Sequence, residues 1–298
     1  MREYPARFVK SQGAIVGLES YSGPQAFDLV ADELRMLMIA TCCQDIPPLL
    51  LIGEDRPVFG MDMRGQTIRG GSVQDKDFSI AKCNTDFDAV LNSLQVKKAA
   101  FLGYSPGGFF AAHYAIANPD KVAALILAEP AIFTDTEDLI QRARLAEGGD
   151  AVRAMEAMLQ YIDPSISKEQ KNALAKEVVK DWQSSEIMGK VFRLHGEEQI
   201  QEKDLEALRK FPVLLIGGSE SPMNFHIKRI AAAVPEATVW WVRGATHLDL
   251  FSEHNASEIA DVVGRFLKSL DIQTSPNLTF PHYRMTEGYV KPKQILPT

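Results

Sequence analysis

The chain has few cysteines and no excess of basic residues, and both shortages narrow what it can do. Three cysteines occur in 298 residues (Cys42, Cys43 and Cys83), and their spacing fits neither a disulfide framework nor a zinc site. Basic residues number 32 against 39 acidic ones, a net charge of −7, which disfavours binding to the phosphate backbone of nucleic acids. No run of about eighteen apolar residues occurs, so the sequence predicts no transmembrane span.

Signatures of secretion and of cofactor binding are missing as well. No apolar run follows the first residues, Met1–Arg7, so we expect no secretory signal and a cytoplasmic protein. The sequence has no metal-ligand cluster, phosphate-binding loop or dinucleotide fingerprint, and therefore predicts no cofactor and no bound metal. Apolar residues make up 46% of the chain, which is ordinary for a globular protein. The oligomeric state stays open, with a homodimer as one option.

Short apolar runs alternate with helical patterns along most of the chain, which predicts an α/β fold with a mostly parallel sheet. Several runs are apolar on both faces, as strands covered by helices on two sides should be. The strand candidates are Phe8–Lys10, Ala14–Glu19, Val58–Met61, Ala99–Leu102, Leu125–Ala128, Val213–Ile216 and Val239–Val242. The helix candidates are Ala26–Met38, Phe78–Leu94, Gly107–Ala117 and a last helix that starts near Asn255.

The stretch from about 131 to 210 differs because it is helical in pattern and holds no convincing strand. Apolar residues recur at helical spacing from Val152 to Ile162, and Ser167 with Gln170 predicts a capped helix start. We therefore expect a core made of residues 1–130 and 211–270, with a helical insertion at 131–210. Residues 271–298 are rich in proline and lack periodicity, which predicts an irregular carboxyl-terminal arm.

The most informative segment is Gly103-Tyr-Ser-Pro-Gly107, which has an apolar strand before it and an apolar helix after it. G-x-S-x-G in this context is typical of a nucleophile elbow, in which a sharp turn pushes the Ser105 side chain out above the sheet. Gly103 and Gly107 are needed because a side chain at either position would collide across the turn. The helix amino terminus behind the serine favours developing negative charge.

A serine hydroxyl is a poor nucleophile without a base, so a histidine is expected late in the chain. Of six histidines, His247 follows the last strand candidate and precedes the last helix, and the other five lack a comparable context. A carboxylate should orient this histidine, and the chain order serine, acid, histidine favours Glu220 in the loop after Val213–Ile216. Glu129, at the end of Leu125–Ala128, is the reserve acid.

These residues together resemble the α/β-hydrolase superfamily. The segment Pro57–Gly65, followed by Gly71 and Ser72, is similar to the strand-four signature of its esterase-like members, and Gly244-Ala-Thr-His247 matches its histidine loop. The resemblance covers roughly residues 57–130 and 211–268. It implies a mostly parallel twisted sheet with helices on both faces, and a helical cap at 131–210, inserted after strand six, that forms the roof of the substrate pocket.

The resemblance also implies site roles: Ser105 as nucleophile, His247 as general base and acid, and Glu220 at the position more often held by aspartate. One departure concerns Pro106, because the residue after the nucleophile normally donates a backbone N–H to the oxyanion hole and proline has none. Proline also restricts the residue before it, which conflicts with the strained backbone expected at Ser105. Tyr104, beside the nucleophile, is a further candidate for contact with the substrate.

A second departure is the absence of the usual His-Gly pair after the third strand. If Ala14–Glu19 is strand three, the loop Ser20–Gly23 follows it and Tyr21 is the expected oxyanion donor. If Leu49–Ile52 is strand three, the segment before strand four is too short for the crossover helix that parallel strands need. We favour the first register.

Three functions fit these observations. The first is a serine hydrolase that acts on a small apolar ester, lactone or thioester through an acyl-enzyme. The second keeps the fold and the triad but uses Ser105 and His247 for proton transfer in a lyase, isomerase or decarboxylase, because Pro106 removes an oxyanion donor. The third is a non-catalytic pocket that binds a small ligand, which an intact Ser, His and acid set argues against.

Overall fold

The structure is a computed structural model, and it describes residues 6–22, 38–41, 47–74 and 78–274. Within these ranges, nine strands form one sheet. The strands are β1 (Ala6–Ser11), β2 (Ala14–Ser20), β3 (Met38–Thr41), β4 (Val58–Met61), β5 (Ser72–Val73), β6 (Ala99–Tyr104), β7 (Val122–Ala128), β8 (Val213–Gly218) and β9 (Thr238–Val242). Their order is β1-β2-β4-β3-β6-β7-β8-β9, with β5 paired to β2.

The six strands from β4 to β9 along this order run parallel, while β1 and β2 form an antiparallel edge. Residues of β6 and β7 are buried on both faces, which explains why these segments are nearly continuous apolar runs. The register pairs Tyr104 with Ala128, and Ala128 with Ile216. The ends of β6, β7 and β8 are therefore aligned, and the residues that follow them meet at one edge of the sheet.

Helices cover both faces of the sheet, as the sequence predicts. The helices of the described residues are α1 (Pro47–Gly53), α2 (Ile80–Ser93), α3 (Pro106–Ala117), α4 (Thr136–Glu147), α5 (Ala151–Ile162), α6 (Lys168–Val179), α7 (Ser185–Glu197), α8 (Asn224–Ala233) and α9 (Ala256–Thr274). One apolar layer packs α2, α3 and α8 against the sheet, and the other packs α1 and α9.

Between β7 and β8 lie the four helices α4 to α7, which bury an apolar cluster of their own around Leu139, Met155 and Leu159. The predicted cap at Ser167 is present, since its hydroxyl accepts from the Gln170 N–H and the Gln170 side chain accepts from the Ser167 N–H. The division of the chain into a core and a cap at residues 131 and 210 stays a prediction. Here we call the helices α4–α7 the roof.

Several boundaries differ from the sequence-based expectations. All seven strand candidates lie in strands, but the pattern missed β3 and β5, which have only four and two residues. Both proposed registers for strand three are wrong: Ala14–Glu19 is part of the antiparallel β2, and Leu49–Ile52 lies in α1. The helix predicted over Ala26–Met38 falls mostly outside the described residues. Because α9 continues to Thr274, the irregular arm does not begin at 271.

Candidate active site

Ser105 lies at a sharp turn between β6 and α3. Its backbone has φ 54° and ψ −124°, a positive φ that costs a non-glycine residue about 1–3 kcal/mol. This ψ lies outside the helical range that a following proline disfavours, so Pro106 does not prevent the strained turn. A Cβ on Gly103 would lie 2.5 Å from Gly108 Cα, and one on Gly108 would lie 2.5 Å from Pro130 Cβ. The turn therefore forms because glycine occupies both positions.

His247 meets Ser105 from the loop after β9. Its Nε2 is 3.0 Å from Ser105 Oγ, and the imidazole is buried. Tyr104 holds this loop in place, because its hydroxyl donates to the His247 carbonyl and its ring stacks on the imidazole with 5.1 Å between centroids. Phe251 packs edge-on against the Tyr104 ring from the other side. The sequence prediction that brings Ser105 and His247 together agrees with this geometry.

The acid beside His247 is Glu129, at the end of β7. Its Oε2 lies 2.7 Å from His247 Nδ1 and also accepts from Ser221 Oγ at 2.7 Å, while its Oε1 accepts from the Gly218 N–H at 2.7 Å. The side chain is fully buried, so these three donors replace water around the carboxylate. A proton on Nδ1 that is donated to Glu129 leaves Nε2 as the acceptor for the Ser105 hydroxyl.

This geometry corrects the choice of Glu220, which is exposed and whose Oε1 lies 3.2 Å from Ser219 Oγ. The order serine, acid, histidine favoured Glu220, but Glu129 also follows a strand and precedes His247, so it meets that order as well. The sheet separates the two acids, because β7 is the direct neighbour of β6 and Ala128 pairs with Tyr104. The residue after Ala128 consequently lies beside Ser105. Glu129 also has a positive φ of 42°, a conformation that non-glycine residues rarely adopt.

The three candidates for the oxyanion hole lie at different positions relative to Ser105. Tyr21 is wrong as a donor to this site. Because β2 is antiparallel to β4, Tyr21 lies at the amino-terminal ends of the parallel strands, away from Ser105. Its N–H donates there to the Val58 carbonyl at the start of β4. Its hydroxyl accepts from Arg69 Nη2 at 2.6 Å. Tyr104 borders the site, but its hydroxyl is bonded to the His247 carbonyl.

Pro106 is the first residue of α3 and borders the site, and it has no N–H to donate. The strand that precedes the oxyanion loop in this topology is β3, which ends at Thr41. The next residues, 42–46, lie outside the described residues. The donors of an oxyanion hole are therefore not assigned.

A cavity of about 240 Å³ lies over Ser105 and His247, beneath the roof. Its apolar lining comes mainly from the roof helices and includes Leu139, Met155, Met158, Leu159, Ile162, Val178, Met188 and Phe192. One buried cation, Arg142 of α4, also lines it. Neither Arg142 nor Ser221 is recognisable as a site residue from the sequence, because neither belongs to a local motif.

A second histidine at the cavity, His195 of α7, is not poised for acid–base chemistry at neutral pH. Burial lowers the pKa of His195 to about 4. Its Nε2 is 2.5 Å from the Ala131 carbonyl, which places a proton on that nitrogen, and its ring packs on Phe109. The side chain therefore ties the roof to the loop after β7.

The matched family model decides the relationship of this chain to known proteins. The model describes the alpha/beta hydrolase fold, and it matches residues 46–254, well over half of the chain. The chain belongs to the α/β-hydrolase family. The predicted fold class is thereby confirmed, with its twisted parallel sheet, helices on both faces and serine turn at the end of β6.

Solved structures of other α/β hydrolases superimpose on most of the chain. An enol-lactonase from Burkholderia xenovorans LB400 has a TM-score of 0.70 at 15% identity, covering 88% of this chain and all of that one. The carboxylesterase CesB (YbfK) from Bacillus subtilis has a TM-score of 0.66 at 17% identity, covering 90% of this chain and 93% of its own. At these identities, the likeness shows the shared fold alone.

Curated relatives match a shorter part of the chain. The 1-acylglycerol-3-phosphate O-acyltransferase ABHD5 of Rattus norvegicus and that of Mus musculus are each 31% identical over 96 residues. The match covers 31% of this chain and spans about a quarter of their length, 27%.

The described residues contain neither a metal site nor a membrane span. No group of three or more His, Cys, Asp or Glu side chains there is placed to hold a metal ion. None of the helices in those ranges combines the length and apolar character that a membrane span needs.

Proposed function

We propose that the protein is a serine hydrolase that cleaves small, largely apolar esters, lactones or thioesters. The observation that carries the proposal is the continuous hydrogen-bonded chain from Ser105 through His247 to Glu129. Each link is within 3.0 Å, and all three side chains are buried. We call these three residues the floor of the cavity. Nucleophile, base and orienting acid in this arrangement suit acyl transfer.

In this mechanism, Ser105 Oγ attacks the substrate carbonyl carbon while His247 Nε2 takes the hydroxyl proton. Glu129 stabilises the imidazolium that forms and keeps the ring oriented. The tetrahedral intermediate collapses as His247 returns the proton to the leaving oxygen or sulfur, which leaves an acyl-enzyme on Ser105. A water molecule then gives a proton to His247 and attacks the acyl carbon. The bond from the acyl carbon to Ser105 Oγ breaks as His247 returns the proton to Oγ, which releases the acid and restores the serine.

The cavity limits the size and polarity of the substrate. A volume of about 240 Å³ suits an acyl group of a few carbons rather than a long lipid chain. Its lining of Leu, Met, Ile, Val and Phe side chains excludes water from Ser105. Burial of apolar acyl carbons there contributes about 0.8 kcal/mol per methylene.

Pro106 supports a second candidate within the same fold. Without the Pro106 N–H, a tetrahedral oxyanion loses one donor, a deficit of about 2.7–4 kcal/mol by analogy with deletion of a single side-chain donor. Proton transfer between Ser105, His247 and a substrate carbon depends less on that donor. A lyase, isomerase or decarboxylase is therefore the alternative to hydrolysis.

The curated relatives are named O-acyltransferases. An acyl-enzyme on Ser105 would give the same type of reaction if an alcohol instead of water attacked it. The match of these relatives covers less than a third of this chain, so hydrolysis remains the proposal. Product analysis in the presence of an added alcohol separates the two outcomes.

Turnover of p-nitrophenyl acetate and butyrate by the wild type and by Ser105→Ala tests the proposal. We expect kcat/KM to fall by about 10³-fold or more in Ser105→Ala, because the nucleophile is lost. Ser165→Ala, which alters an exposed serine in the roof, is the matched control and should keep wild-type turnover. Equal turnover by wild type and Ser105→Ala would reject a serine mechanism.

A further inference from the structure

Arg142 is a cationic side chain in a mostly apolar cavity whose lining also includes the acid Asp181. Arg142 projects from α4 and is 3% exposed, yet it lines the same cavity as Ser105 and His247. Charged residues are rarely buried to this degree unless they are paired, because removal from water costs several kcal/mol. The hydrogen-bond partners of Arg142 therefore bear on the type of ligand that the cavity binds.

The hydrogen bonds of Arg142 satisfy only part of its guanidinium. Nη2 donates to Asp138, one turn earlier on α4, and the guanidinium lies 5.3 Å from the centre of the Tyr161 ring. The buried Nε–H has no acceptor among the described residues. A guanidinium carries five N–H donors, and a buried donor without an acceptor destabilises the folded protein.

The ion pair of Arg142 is less complete than that of Arg64, a buried arginine that does not line the cavity. Arg64 Nη1 also has no acceptor among the described residues, but Arg64 donates from both Nε and Nη2 to Asp86, at 3.0 and 2.7 Å. Asp138 is 35% exposed, so part of its charge is solvated outside the roof, while Arg142 faces the cavity. Burial lowers the pKa of Arg142, and Asp138, Tyr161 and Asp135 oppose this effect.

We propose that the cavity takes esters whose acyl part carries a carboxylate, and that Arg142 binds this carboxylate while Ser105 attacks the ester carbonyl. The inference rests on the proposed function, because it assigns a substrate class to that site. A carboxylate matches the fork of N–H donors on a guanidinium. One arginine already shared with Asp138 suits a single negative charge in a small cavity better than a dianionic phosphate.

Binding to the Ser105→Ala variant tests the inference without turnover. Monomethyl glutarate and dimethyl glutarate have the same chain, and only the first carries a carboxylate. We expect Ser105→Ala to bind the monoester at least tenfold more tightly than the diester in titration calorimetry. The preference should vanish when Arg142→Gln is added and persist with Arg144→Gln, an exposed arginine on the same helix.

The outcomes separate this inference from the proposed function. Equal binding of the two esters, or a preference that survives Arg142→Gln, overturns the role of Arg142 whether or not the wild type hydrolyses esters. Stronger binding of a short-chain acyl phosphate monoester than of monomethyl glutarate also overturns it. If Arg142→Gln fails to fold, Arg142→Lys keeps the charge without the fork, and the inference then requires a reduced preference for the monoester.

Discussion

The floor and the roof of the cavity differ in how completely their buried polar groups are hydrogen-bonded. On the floor, the Glu129 carboxylate accepts three hydrogen bonds, and both ring nitrogens of His247 have a partner within 3.0 Å. In the roof, Arg142 keeps a buried N–H without an acceptor among the described residues. His226, which supports the start of the roof through the Phe133 N–H, likewise has no partner for Nε2 within that part of the chain.

In the floor, the protein itself supplies the hydrogen-bond partners of the buried polar groups. In the roof, it does not supply all of them. The floor consists of strand ends whose register fixes the partners of each group, so its chemistry is preorganised before a substrate arrives. The roof consists of amphipathic helices that pack by apolar contacts, and nothing in that packing requires each polar group to be matched. Substitutions in the floor should therefore affect rate, and substitutions in the roof should affect which substrate is chosen.

The largest expected effect comes from removal of the charge on the floor. In Glu129→Gln, the amide keeps the shape of the side chain but does not hold a proton on His247 Nδ1 or stabilise the imidazolium. We expect kcat to fall by about 10³-fold or more, as when the acid of a triad becomes an amide. Steady-state hydrolysis of p-nitrophenyl butyrate measures the change.

Glu220→Gln is the matched control for that variant, because it makes the same change at the acid that chain order favoured. We expect wild-type kcat for Glu220→Gln, since Glu220 is exposed and bonded to Ser219. A severe loss in Glu220→Gln with near-normal turnover in Glu129→Gln would reverse the assignment of the acid.

Pro106→Ala should add a donor to the floor and raise ester turnover about tenfold. The new backbone N–H at the first residue of α3 would supply the missing oxyanion donor, and alanine is well tolerated in a helix. Pro119→Ala, which adds an N–H at the start of a short helix after α3, is the control and should leave kcat unchanged. Unchanged or slower turnover in Pro106→Ala would mean that the oxyanion hole is complete without this donor.

A smaller effect is expected on the pH dependence of the free energy of unfolding, through His226. Burial lowers the pKa of His226 to about 3, from 6.5 in the unfolded chain. Between these two pKa values, the unfolded chain binds a proton that the folded protein does not. The contribution of His226 to the free energy of unfolding is therefore fully present above pH 6.5 and is lost as the pH falls below it. His226→Asn keeps an acceptor for the Phe133 N–H and removes the titration.

We expect His226→Asn to flatten the loss of stability between pH 6.5 and pH 4 by up to about 1.4 kcal/mol per pH unit. Urea unfolding at a series of pH values measures the slope. His195, with its pKa also lowered by burial, keeps part of the pH dependence in the variant. An identical slope in wild type and His226→Asn would contradict a neutral His226 in the folded protein.

The sequence revealed Ser105 and His247 because each lies in a local motif, a glycine-flanked turn or a loop between a strand and a helix. It favoured Glu220 over Glu129, and the geometry reverses this choice, because the position of the acid depends on which strand ends are neighbours in the sheet. Tyr21 was misplaced for a related reason. The four-residue β3 has too little pattern to be recognised, and without it the sequence pattern favours β2 as the parallel strand before the oxyanion loop.

Arg142 was beyond the reach of sequence reasoning for a different reason. Helical periodicity places it on α4 with an apolar neighbour at Leu139, but it does not show what lies opposite. Its burial depends on how four helices dock over the end of the sheet. Packing of this kind is not directional, and many arrangements satisfy the same apolar pattern.

Covalent labelling with a fluorophosphonate tests the central claim most directly, because the reagent reports an activated serine whatever the natural substrate is. The account predicts one adduct, located on the peptide that contains Ser105, strongly slowed in Glu129→Gln and absent in Ser105→Ala. No labelling of the folded wild type, or labelling that persists in Ser105→Ala, would contradict it.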